Sequence, residues 1–88
     1  MELQDRLDVL LDLAEKLGIG IRREPMGGEG GGLCALRGRR ILFLDTSADL
    51  ETRYERTVKS LAPLPELDDL YVVPEVRDDL DACRQGDG

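Results

Sequence analysis

A chain of 88 residues is expected to form one small domain, here placed at residues 1–84 with 85–88 as a disordered tail, and its net charge of −7 excludes it as a whole from binding a nucleic-acid backbone, which needs a basic footprint. It has no histidine, which removes Ser–His and Cys–His dyads and histidine-containing zinc sites, and Cys34 and Cys83 do not form a metal-ligand spacing. Phe43, Tyr54 and Tyr71 are the only aromatics, so the core must be built from Leu, Val and Ile.

The first predicted element is a helix over 3–17. Leu3, Leu7, Leu10, Ala14 and Leu17 recur at three- and four-residue spacing, with acids mostly on the opposite side. Gly18 and Gly20 supply its stop. Residues 19–24 alternate from Ile19 and Ile21 into a short strand that Pro25 ends. The run 26–32 carries Gly27, Gly28, Gly30, Gly31 and Gly32 and reads as a flexible loop. Residues 33–36 and 41–44 read as two strands of a hairpin around Gly38. The second has no polar alternation, which predicts a central strand covered on both faces. Thr46 and Asp49 loosely fit a capping box before a helix over about 48–62. Pro63 and Pro65 break that helix, residues 70–73 are extended, and Pro74 opens a last helix over about 75–84. The predicted class is α+β: helix, three-stranded mainly antiparallel sheet, helix, short extended segment, C-terminal helix.

Charge is distributed by segment. Residues 1–17 carry five acids and two bases, and residues 63–88 carry eight acids and two bases. Between them, residues 18–44 carry Arg22, Arg23, Arg37, Arg39 and Arg40 against Glu24 and Glu29. The candidate contact residues for an anion or an acidic partner are therefore Arg22, Gly30, Gly31, Gly32, Arg37, Arg39 and Arg40. Glycine lets backbone N–H groups approach a ligand closely, and arginine offers planar, bidentate donors. The competing expectations are a mobile strand connection and a solvated hairpin tip whose charge prevents edge pairing. A phosphate loop would also need a following helix and a Lys-Ser/Thr pair, and neither is present. Cys34 reads first as a small buried core residue. The acids around 66–81 lack the ordered alternation of a calcium loop and read as a solvated face.

The stretch from Gly27 to Gly38, then Leu42-Phe43-Leu44-Asp45 and Leu70-Tyr71-Val72-Val73-Pro74-Glu75-Val76-Arg77, resembles a family of short uncharacterised bacterial proteins, a resemblance that implies no activity. The order helix, three strands, helix also resembles the start of the ImmA/IrrE-like metallopeptidase domain. That family's zinc helix would correspond to Arg53-Tyr54-Glu55-Arg56-Thr57-Val58-Lys59-Ser60, which has no histidine. None of that family's site residues transfer to this chain.

These readings converge on a non-enzymatic protein-interaction module, with no catalytic residue, cofactor or metal. Its expected partner is itself or another protein, with no nucleic acid and no membrane. The alternative is a module that binds a small anionic ligand or nucleotide through the glycine loop and the hairpin arginines. Asp5, Arg6, Asp8 and Asp12 interrupt the one N-terminal apolar run, so neither a signal peptide nor a membrane span is expected and the location is read as cytoplasmic.

Overall fold

The computed structural model describes residues 1–86. Helix α1, Leu3–Lys16, buries Leu7, Leu10 and Ala14 of the predicted stripe together with Leu11 and Leu13, and leaves Leu3 and Leu17 partly buried. It closes at Gly18, whose φ of 78° is a left-handed conformation that glycine takes without a Cβ penalty.

Three strands follow: β1 Gly20–Glu24, β2 Gly31–Leu36 and β3 Arg39–Asp45. Their spatial order is β1-β3-β2, so β3 is central as its apolar run implies. β2 and β3 form the predicted antiparallel hairpin, with Cys34 opposite Ile41. β1 adds to the far side of β3 in parallel, with Gly20 opposite Ile41 and Glu24 opposite Asp45, so the sheet is mixed. This arrangement requires the 25–30 loop to cross the C-terminal end of β3, from one edge strand to the other.

Helix α2, Leu50–Leu61, begins at Asp49, whose carboxylate accepts the Thr52 N–H at 2.8 Å. The cap is therefore Asp49 and not Thr46, because residues 46–48 are still turning away from the sheet. A 3-10 turn, Pro65–Asp69, and an extended stretch lead to helix α3, Pro74–Gly86. α3 takes in Gln85 and Gly86, where a disordered tail was expected from 85; the rest of that tail, 87 and 88, lies outside the described residues.

α1 and α2 pack against each other and against the sheet, and α3 packs on both helices. Leu42 and Leu44 of β3 point into this core, with Leu7, Leu10, Leu61, Leu67 and Val76 also fully or nearly fully buried. Ile41 and Phe43, which alternate with them, stay partly exposed. The expectation that both faces of β3 would be covered is thus corrected. α3 docks on α1 and α2 rather than on the sheet. Among the described residues no helix is long and apolar enough to cross a membrane.

Candidate interaction surface

The candidate surface is built by strand alternation. Since Leu42 and Leu44 face the helices, the paired registers put Arg22, Phe43, Ile41, Cys34, Arg39 and Leu36 on the opposite face. Leu36 is 56% exposed and Cys34 is exposed. Cys34 is therefore not the core residue that its type suggested: β2 is an edge strand, and its second half, residues 34–36, is exposed. Opposite Phe43 on β2 stands Gly32, which has no side chain to shield the ring.

The arginines divide into two groups. Arg40 turns to the helical side, where it donates to Glu66 at 2.7 Å and to the Leu17 carbonyl at 3.2 Å. That hydrogen bond holds the Glu66 carboxyl below the usual carboxylate range. Arg22, Arg37 and Arg39 make no ion pair or side-chain hydrogen bond among the described residues, and neither does Arg23. Arg37 sits at the hairpin turn with φ 53°. The structure thus brings Arg22 and Arg39 to the open face, puts Arg37 at its end, and separates Arg40 from them.

The glycine loop is organised by a residue that the sequence reading passed over. Asp45, the last residue of β3, is fully buried. Its Oδ1 accepts the N–H groups of Met26 and Ser47, each at 2.8 Å, and its Oδ2 those of Gly28 at 2.6 Å and Gly30 at 3.1 Å. Burial alone would raise its pKa, but the four backbone donors outweigh that and bring it down to about 2. The loop amides at 28 and 30 therefore already hold an anion, supplied by the chain itself. Gly30 is buried against Thr52 and Arg56 of α2, and Arg56 Nε donates to the Glu29 carbonyl at 2.7 Å. Gly31, with φ 97°, leaves no room for a Cβ beside the Phe43 carbonyl. One signal was available in the sequence: Asp45 is an acid ending an otherwise apolar strand, beyond a loop of free amides.

On the far side of the molecule, Leu3, Tyr54, Val58 and Cys83 line a shallow groove. At its edge Asp79 accepts from the Tyr54 hydroxyl and from Arg6, the latter at 3.0 Å. Burial, then the bond to Asp79, pushes the Tyr54 hydroxyl pKa up from 10.0. This cluster joins α3 to α1 and α2 through Asp79. Among the described residues no group of three or more acidic or cysteine side chains could hold a metal ion. No family model, curated protein or solved structure matches the chain.

Proposed function

We propose that the chain is a non-enzymatic, cytoplasmic protein-interaction module, a self-associating protein or a subunit of a larger assembly, that binds through its open sheet face. One observation carries this reading. A face with Phe43 and Ile41 at its centre and Leu36 at its edge is rimmed by Arg22, Arg37 and Arg39, none of which makes an ion pair among the described residues. An acidic or polar-rimmed protein surface supplies both what the apolar centre and what the guanidinium groups lack.

The test is the mass of the chain in solution, alone and with co-purifying protein, measured by light scattering for the wild type and for Arg22→Glu with Phe43→Thr. The wild type is expected above its own 9.8 kDa. The variant, checked for folding by circular dichroism, is expected to bind at least about tenfold more weakly, as for loss of a central interface residue. A wild type that stays at monomer mass and holds no partner defeats the reading, as does a variant that associates unchanged.

The second reading, a small anionic ligand, draws on the same unpaired arginines but not on the amides of Gly28 and Gly30, which Asp45 occupies. It expects a thermal shift with inorganic phosphate or ATP that Arg39→Ala removes.

A further inference from the structure

The two edges of the sheet differ. β1 presents Arg22, Arg23 and Glu24 along its edge, the kind of charge that discourages strand pairing. β2 reads Gly31-Gly32-Leu33-Cys34-Ala35-Leu36, with no charge and no proline, and its second half is exposed. The direction of its free backbone groups follows from one hydrogen bond. Asp45 N–H donates to the Gly30 carbonyl at 3.3 Å, which makes 30 and 45 a bonded pair. Bonded and non-bonded pairs alternate in an antiparallel ladder, so Gly32, Cys34 and Leu36 bond β3 while Leu33 and Ala35 turn their N–H and C=O groups outward. Nothing among the described residues pairs with these outward groups.

The two ends of the strand carry opposite charge. Glu29 precedes β2, and Arg37 and Arg39 follow it; among the described residues none of the three makes an ion pair. Only one orientation of a second identical strand satisfies both ends. A parallel copy would set arginine beside arginine. An antiparallel copy sets Glu29 beside the partner's arginines, and two-fold symmetry makes that contact twice.

We propose that β2 pairs antiparallel with β2 of a second copy of this chain, joining two three-stranded sheets into one of six strands. This rests on the reading of the chain as an association module, names a second copy as its partner, and places that contact at the sheet edge rather than on the open face. The register centres on Cys34. Leu33 and Ala35 then exchange backbone hydrogen bonds with Ala35 and Leu33 of the second copy. Glu29 falls opposite the second Arg39. The two Cys34 residues form a non-bonded pair, whose Cα atoms lie about 4.5 Å apart, within reach of a disulfide. Four backbone hydrogen bonds and two ion pairs make a small interface, so the dimer forms in the range of about 10 µM to 1 mM.

The test combines sedimentation equilibrium across that range with chemical cross-linking. Glu29→Arg is expected to weaken the dimer by about tenfold or more, and Glu29→Arg with Arg37→Glu and Arg39→Glu to restore it to within about threefold. Ala35→Pro, which removes an outward N–H, is expected to abolish the dimer. Oxidation with diamide should join two copies of Cys83→Ser through Cys34, and should join none of Cys34→Ser. Circular dichroism checks that each variant is folded. A monomer at about 1 mM, a charge swap without rescue, or cross-linking that does not need Cys34 each overturns the pairing. If the pairing fails but Arg22→Glu with Phe43→Thr still abolishes association, the broader reading stands; if that variant changes nothing either, both fall.

Discussion

Burying a carboxylate ordinarily favours its neutral form, because the charge loses its water. Asp45 escapes this because four backbone N–H groups converge on its two oxygens. Its folded pKa of about 2 lies below the ordinary 3.8, so on acidification the unfolded chain takes up the proton first. The stability this group contributes is complete above about pH 4 and is lost as pH falls toward 2. Asn at this position keeps one acceptor oxygen and turns an NH2 group toward two of the four donors. Asp45→Asn is therefore expected to lower the urea midpoint at pH 7 and to flatten the loss of stability between about pH 4 and 2. Equilibrium unfolding at several pH values reads both effects. A variant with an unchanged acid limb would mean that Asp45 does not titrate as its surroundings require.

At the scale of elements, α3 is, among helices α1 to α3, the one that buries the fewest apolar residues. Val76 and Leu80 are its buried side chains. Polar ties do the remainder: Arg6 and Tyr54 meet on Asp79, Arg77 donates to the Leu70 carbonyl, and Arg84 donates to Asp68 and to the Leu64 carbonyl. Leu80→Ala is expected to destabilise by about 2–5 kcal/mol, as for a large-to-small change at a buried site. Tyr54→Phe is expected to lower stability by only about 0.5–1.5 kcal/mol, since Asp79 keeps Arg6. Urea unfolding separates the two, and a larger effect for Tyr54→Phe would show that the hydrogen bond, not the apolar contact, holds the helix. The elements themselves were legible where a period or a turn fixes them: the α1 stripe, the hairpin around Gly38, the stop at Gly18, the start at Pro74. What was not legible depends on which strand is an edge and which helix lies where. Cys34 is small and apolar in either setting, and only the strand order exposes it. Arg22, Arg39 and Arg40 look alike in the chain, and only the register sends Arg40 to Glu66 and leaves the other two uncovered.

At the scale of the whole molecule, the sheet packs its Leu42 and Leu44 face on the helices and leaves Ile41 and Phe43 of the other face partly exposed. Successive residues of β3 therefore report on different surroundings: Leu42 is fully buried, and Ile41 beside it is partly exposed. In the isolated monomer, Leu42→Ala is expected to destabilise by about 2–5 kcal/mol and Ile41→Ala by less than about 2 kcal/mol, because the second leaves no sealed cavity. The comparison should be made by urea unfolding in dilute solution and again at high protein concentration. Pairing through β2 adds strands beside the open face without covering it, so edge pairing alone raises the midpoint of both variants with concentration and leaves the gap between them unchanged. A partner seated on Phe43 and Ile41 would instead bury Ile41 in the bound state, and the Ile41→Ala deficit would grow toward that of Leu42→Ala once the partner is present. The size of the gap, followed with concentration and with added partner, thus distinguishes association at the edge of the sheet from association on its face.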